Sequence, residues 1–225
     1  MPADQTRSLS IVIPVLNDAP ALAELLPRVC PLADEVLVVD GGSSDGVADI
    51  VGGTTARMLA SAPSRGGQLR RGANAVTGDR VWLLHADSLV DPDAVRAVRE
   101  ADRGWGRLRL AFDTASAQLA CVAWFMERRS RFTGICTGDQ GIWVDRSLLE
   151  QVGGVPDQPL MEDVELSRRL RAVERGQVLD HKIVTAARRW VAGGVWRTVV
   201  SMWCLRLRYF AGADPVVLAR RYYGR

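Results

Sequence analysis

Two nearly continuous apolar runs, residues 8–15 (SLSIVIPV) and 35–40 (EVLVVD), stand near the start of the chain. Runs of this length without polar alternation predict strands buried on both faces. Between them, residues 20–30 (PALAELLPRVC) place leucines at helical spacing behind a proline that a first turn tolerates. A third run, residues 57–62, leads through a Gly/Arg-rich turn into a helix-like stretch, 68–76. Residues 81–84 (VWLL) predict a fourth strand, and 91–102 (DPDAVRAVREAD) a capped amphipathic helix. Beyond Phe112 the alternation loosens. The pattern there predicts a helix over 116–132, a strand over 141–144 and a helix over 160–173, whose acids come first and arginines last, complementing its dipole. Two further helices follow, 195–211 and 215–223. The expected class is α/β, a mostly parallel central sheet flanked by helices, with C-terminal helices and no internal repeat.

Composition sets bounds on this picture. The chain has 225 residues, 48% hydrophobic and 24% charged, the balance of an ordinary globular domain. A chain of this size hides about 70% of its unfolded surface and needs no disulfide or metal staple. The net charge of +3 conceals a split. Residues 1–163 hold 16 Lys and Arg against 22 Asp and Glu, whereas 164–225 hold 13 against 4. An acidic body therefore carries a basic tail, suited to an anionic partner such as phosphate or a membrane surface, or to a solvated helix face. Cys30, Cys121, Cys136 and Cys204 are scattered without CxxC pairing, which argues against a zinc ribbon or a disulfide scaffold. The first residues lack an apolar signal core, and the uncharged stretch 198–205 is too short to span a bilayer. A reducing, cytoplasmic setting is the expectation.

In open α/β sheets ligands bind beyond the carboxyl ends of the strands. Those ends are polar here: Asn17-Asp18, then Asp40-Gly41-Gly42-Ser43-Ser44-Asp45, then His85-Ala86-Asp87. Ser43, Ser44 and Asp45 also suit helix capping. Asp40 and Asp87 each close a hydrophobic strand, where a carboxylate needs a partner such as a base, a ribose hydroxyl or a metal. GGSSDG has neither the GxGxxG spacing nor the P-loop pattern, so dinucleotide and P-loop sites are not expected.

The set IVIPVLND, VVDGGSSD, GDRVWLLHADS and MEDVELSRRL resembles the family-2 inverting glycosyltransferases with the A-type nucleotide-sugar fold. The late motifs Gly138-Asp139-Gln140-Gly141, Met161 to Leu166, Ala187 to Trp190, Gly194-Val195 and Leu218-Ala219 with Tyr222 resemble a bacterial subfamily tied to radical-SAM/selenodomain or arsenosugar biosynthesis. The resemblance implies one catalytic domain over 8–190, with a nucleotide-binding half (8–112) and an acceptor half (113–190). Residues 191–225 would add basic amphipathic helices.

The resemblance also implies roles for individual residues. Pro14, Val15 and Asn17 would shape a base pocket, Asp40 would accept a hydrogen bond from the pyrimidine or ribose, and Gly42 would belong to the same nucleotide-sugar site. Asp87, last in the family's Asp-x-Asp motif, would bind Mn²⁺ or Mg²⁺ across the diphosphate. Asp163 would be the general base and Glu162 would orient the acceptor or the base. Gly138, Asp139 and Gln140 would face the acceptor or diphosphate. Arg65 and Gln68 would approach the diphosphate, although the subfamily's Gln-Met-Asn run reads Gln68-Leu69-Arg70 here. Arg188, Arg189 and Trp190 resemble the tail of the QxxRW motif, but Ala186 occupies the glutamine position, so single transfer is expected rather than processive synthesis.

His85 stands where the metal motif has its first carboxylate, which removes one negative ligand. His85 is either a ligand to Mn²⁺ or a structural histidine at a strand end, and His181 either joins the metal, as the resemblance to relatives with a late histidine implies, or is structural. The donor is expected to be a UDP-sugar and the acceptor is not encoded in loops such as 103–106 and 134–140. Residues 195–211 are either a core helix or a helix lying in a membrane plane at the inner face. Two rival functions are a nucleotidyltransferase, whose glycine-rich phosphate loop is missing after the first strand, and a decayed nucleotide-sugar-binding or membrane-adaptor protein. Nucleic-acid binding is not expected, because the basic residues interleave with apolar helix faces.

Overall fold

The computed structural model describes residues 7–224, the side chain of Arg189 excepted. In chain order its first elements are β1 (Leu9–Val15), α1 (Ala19–Val29), β2 (Glu35–Asp40), α2 (Val47–Gly52), β3 (Arg57–Ala60), α3 (Arg65–Ala75), β4 (Arg80–Leu83), β5 (Ser88–Val90) and α4 (Pro92–Glu100). Then come β6 (Trp105–Phe112), α5 (Ala117–Thr133), a 3₁₀ turn (Gly138–Gln140), β7 (Ile142–Asp145), α6 (Arg146–Gln151) and α7 (Glu162–Val173). The chain closes with β8 (Gln177–Thr185), α8 (Arg188–Gly193), α9 (Val195–Phe210) and α10 (Pro215–Tyr223).

Among the described residues the strands form one sheet in the order β3-β2-β1-β4-β7-β6-β8-β5. The β3-β2-β1-β4 block is parallel throughout, and β7 and β5 run antiparallel to their neighbours. All seven residues of β1 are buried because parallel neighbours flank it and helices cover both faces. Ile11 and Ile13 join Leu22 and Leu25 of α1 in one core cluster, while Val12 joins Leu69 and Ala73 of α3 in the other. This alternation is the period of two that a strand imposes.

The expected mostly parallel sheet is present, and its far half is more mixed than the pattern predicts. β5 and β6 were not anticipated, and residues 105 and 106, expected in a loop, begin β6. The pattern of β6 is masked by Arg107, which is buried and bonds Glu127 of α5 through both amino nitrogens, at 2.6 and 3.0 Å. A strand whose buried arginine is paired twenty residues away shows no apolar alternation. Similarly, α3 starts at Arg65, inside the expected turn. Ser64 caps it, and Gly66 is required because a Cβ would run into the carbonyl of Gln158.

Arg80, fully buried, ties β4 to the rest. Its guanidinium bonds Asp145 at 2.8 Å and the carbonyls of Val98, Ala101 and Asp102 at the end of α4, and it lies over the Trp143 ring. A third cluster joins Leu160, Met161 and Val164 to Leu205, Leu218 and Ala219, so α9 and α10 rest on the start of α7.

The inward side of α9 is carried by Val195 and Val199, which pack on the first cluster, and by Met202, Leu205, Arg206 and Tyr209 further along. Trp196, Val200, Trp203, Leu207 and Phe210 are exposed, Leu207 by 64%, so its broad apolar face is not core. Among the described residues no helix is long and apolar enough to cross a membrane.

Candidate active site

The carboxyl ends of β1 and β2 are held together by side chains of their own loops. Asn17, in the left-handed region at φ 51°, accepts the Ser44 N–H at 2.9 Å. Its own N–H donates to Ser43 Oγ at 2.8 Å, and that hydroxyl donates to Asp40 at 2.6 Å. Asp45 accepts the N–H of Ala19 at 2.8 Å, so it caps α1 and not α2, the helix that follows it. Gln68 is buried and its amide donates to the carbonyls of Val15 and Val39 at 2.9 and 2.8 Å. Gly42 turns the chain at φ 95°, a region that side chains disfavour.

Beyond these strand ends lies a cavity of about 540 Å³. Pro14, Val15, Arg65, Gln68, His85, Asp87 and Asp139 line it, as expected of a strand-end site. Asn17, Asp40 and Gly42 stand in the adjoining loops and are not among its lining residues. Sequence reasoning missed the opposite wall, which α10 supplies through Val216, Ala219, Arg220 and Tyr223. Only the quoted Leu218-Ala219 motif pointed there.

The acidic pair sits at the start of α7. Met161, at φ 64°, turns the chain so that Glu162 and Asp163 open the helix. Glu162 is 1% exposed and ion-paired with Arg65, while its Oε2 has no hydrogen-bond partner. Burial pushes its carboxyl up, Arg65 opposes this, and the Asp163 charge adds to the rise. Burial weakens the Arg65 charge, but Glu162 and Asp163 outweigh it and hold that guanidinium well above its usual range. Asp163 Oδ2 accepts the Gly138 N–H at 2.8 Å and lies 3.9 Å from Arg65 Nη2. Its Oδ1 accepts the Val164 N–H at 2.7 Å.

His85 joins the two halves of the site. It borders both the large cavity and a gap of about 10 Å³ beside Glu162 and Asp163. Its Nδ1 is 3.2 Å from Asp139, and its buried Nε2 lacks a hydrogen-bond partner. Among the described residues no three His, Cys, Asp or Glu side chains form a preassembled metal cage. His181 lies on β8, four residues or about 13 Å from Thr185, the partner of Ser88. It is not among the cavity residues.

Three other expected site residues have structural partners. Gln140 is buried and accepts from Ser130 Oγ and the Thr137 N–H at 2.9 and 3.1 Å. The Trp190 ring packs edge-on against Phe112, with centroids 5.5 Å apart. Arg188 is exposed, bonds Asp18 at 3.0 Å and borders a smaller cavity, of about 240 Å³, with Asp87. The side chain of Arg189 lies outside what the structure describes.

Residues 10–103 match the model of a family described as "Glycosyl transferase family 2". Across 96% of the chain the backbone superposes on a mannosyltransferase of Pyrobaculum calidifontis in complex with GDP-Man and Mn²⁺, with a TM-score of 0.68 at 19% identity, covering 70% of that chain. The fold is that of the A-type glycosyltransferases.

A glucosyl-3-phosphoglycerate synthase from Mycobacterium tuberculosis, in complex with Mn²⁺, UDP and glucosyl-3-phosphoglycerate, shares this glycosyltransferase fold over 80% of the present chain and 71% of its own, with TM-score 0.57 at 18% identity. Among curated proteins, the undecaprenyl-phosphate 4-deoxy-4-formamido-L-arabinose transferase of Edwardsiella ictaluri is 34% identical over 141 residues, 55% of this chain and 41% of its own length. The Enterobacter protein of the same name is 31% identical over 161 residues, 60% of this chain and 47% of its own. The chain thus spans less than half the length of these relatives.

Proposed function

We propose that the chain moves a sugar from a nucleotide sugar to an acceptor nucleophile with inversion at the anomeric carbon. The observation that carries this is the junction between the strand-end cavity and the acidic pair. Arg65 lines the cavity and pairs with Glu162, and His85 borders both the cavity and the gap beside Asp163. A donor with its diphosphate near Arg65 and Asp87 would present its anomeric carbon toward α7. Asp163 then takes the acceptor proton as the acceptor oxygen bonds to that carbon, and the pair of electrons from the broken C–O bond leaves on the diphosphate. The two backbone N–H bonds fix the Asp163 carboxylate and leave it lone pairs for that proton. Glu162, immobilised by Arg65, sets the start of α7.

The residues present suit a divalent ion that substrate oxygens complete. Asp87 and Asp139 are oxygen donors on the cavity wall, while the histidine at position 85 supplies no charge-bearing oxygen. Mn²⁺, which accepts imidazole as well as carboxylate, suits this set better than Mg²⁺. When bound, the ion would offset charge on the departing diphosphate. The fold neighbours solved with Mn²⁺, UDP and GDP-Man support this reading, with UDP the expected nucleotide here. The late motifs support the narrower radical-SAM or arsenosugar-associated subfamily. The division into a nucleotide-binding half (8–112), an acceptor half (113–190) and C-terminal helices (191–225) is part of this proposal, and Ala219, Arg220 and Tyr223 of α10 on the cavity wall support a share for the C-terminal helices in the donor side.

The outward face of α9 supports a peripheral contact with an anionic membrane. Its exposed aromatics are flanked by exposed Arg197 and Arg208, and Arg128, Arg220 and Arg221 on α5 and α10 are exposed too. Tryptophan and arginine suit the headgroup level. The lipid-linked acceptor named for the curated relatives fits such a placement.

A second reading, a nucleotide-sugar-binding protein without turnover, draws on His85 in the metal motif and on Arg65 already paired with Glu162. Both readings are tested by a nucleotide-sugar panel with Mn²⁺, measuring binding and release of nucleoside diphosphate. Release supports transfer, binding without release for any acceptor supports the second reading, and no binding contradicts both.

A further inference from the structure

The strand-end cavity presents carboxylates, Asp18, Asp87 and Asp139, that repel any anionic ligand. Among the described residues two arginines line it, Arg65 on one wall and Arg220 of α10 on the other. Arg65 is ion-paired with Glu162 and lies 3.9 Å from Asp163, so its charge is already matched within the protein. Arg220 is exposed, and among the described residues it has no hydrogen bond or ion pair.

The packing of α10 sets where this arginine stands. Leu218, Ala219 and Tyr222 share a cluster with Leu160, Met161 and Val164, the residues around the Glu162-Asp163 pair. Asp214 caps the helix by accepting the Val216 N–H at 2.8 Å. With that side anchored, Val216, Ala219, Arg220 and Tyr223 recur at helical spacing along the side turned to the cavity. Arg221, the next residue, is not among those that line it. The late motif Leu218-Ala219 with Tyr222 therefore serves as the anchor of the helix that presents Arg220.

We propose that Arg220 is a catalytic residue that holds the donor's diphosphate and takes up the charge that group gains on leaving. The inference rests on the transfer reading above and adds to it a residue of the C-terminal helix. As the bond to the anomeric carbon breaks, its electron pair stays on the phosphate oxygen, so the diphosphate is more anionic in the transition state than in the bound donor. A guanidinium fork on its oxygens stabilises the transition state more than the ground state.

The test begins with binding, so it reads out before any donor sugar is known. UDP and GDP, with Mn²⁺, are titrated against the wild type, Arg220→Gln and Arg220→Lys, with uridine and guanosine as competitors that carry the base without phosphate. Diphosphate affinity should fall about tenfold to a hundredfold in Arg220→Gln, while the nucleosides compete equally in all three proteins. Arg220→Lys should recover part of the loss, because the charge remains without the fork. Single-turnover release from the donor identified by the panel should fall further, by about 10²–10³ in Arg220→Gln. The melting temperature should stay at the wild-type value, the side chain being exposed and unbonded. An equal loss for nucleoside and diphosphate would place Arg220 on the base and overturn the proposal. Diphosphate affinity and release unchanged in Arg220→Gln overturn it while leaving the transfer reading intact, whereas no binding of UDP or GDP by the wild type overturns both.

Discussion

Gly138 donates its backbone N–H to Asp163 at 2.8 Å while its Cα faces the His85 ring so closely that a Cβ would collide with Nε2. One glycine thus sets the positions of the proposed base and of the histidine in the metal motif. Gly138→Ala should therefore shift both at once. Overpacking of this kind costs about 1–3 kcal/mol, so the variant should stay folded. Nucleoside diphosphate release should fall more than UDP affinity, and parallel titration and turnover assays check the split.

Arg80 provides the matching test of the scaffold. Arg80→Ala leaves the buried face of Asp145 and the end of α4 unpaired, and breaking a buried pair in this way costs about 3–5 kcal/mol. Thermal unfolding should drop steeply, or the variant should fail to accumulate as folded protein.

Glu165, one turn into α7, gives a pH signature. Hydrogen bonds from Arg168 lead those from Arg169 and Tyr209, and together they hold its carboxyl at about 2 against the opposing effect of burial. A lowered acid stabilises the fold above the ordinary carboxylate range near 4.5 and loses that contribution as pH falls toward 2. Glu165→Gln should therefore be less stable than wild type at pH 7 by about 1 kcal/mol, allowing for solvent screening of the arginines. The difference should vanish near pH 2, as chemical denaturation across this range would show.

Much of the donor side was legible in the chain. The βαβ opening, the polar strand ends and the Glu162-Asp163 start of a helix all follow from local patterns, since continuous apolar runs and first-turn acids need no distant partner. The remainder depended on distant partners. Arg107 conceals β6 until Glu127 is known to meet it, and Gln68 reads as a ligand until the carbonyls of Val15 and Val39 are seen to take its amide. Trp190 reads as the tail of the QxxRW motif until the Phe112 ring is found against it. The wall contributed by α10 depends on how α9 and α10 pack on the start of α7, which no periodicity encodes.

The outer face of α9 predicts a separable surface function. Trp203→Glu with Leu207→Glu changes exposed positions only, so stability should move by no more than about 0.5 kcal/mol per site. Sedimentation with vesicles containing anionic lipid should fall sharply relative to wild type. Equal sedimentation of both proteins, or none by wild type, contradicts the membrane contact.

The central claim is the role of Asp163. Asp163→Asn keeps an oxygen to accept a backbone N–H but cannot take a proton from the acceptor. Single-turnover release of nucleoside diphosphate, with Mn²⁺ and a donor identified from the panel, should fall by about 10²–10⁴ while affinity for that donor stays within twofold, roughly the range lost with a general base. Release unchanged from wild type would contradict the account.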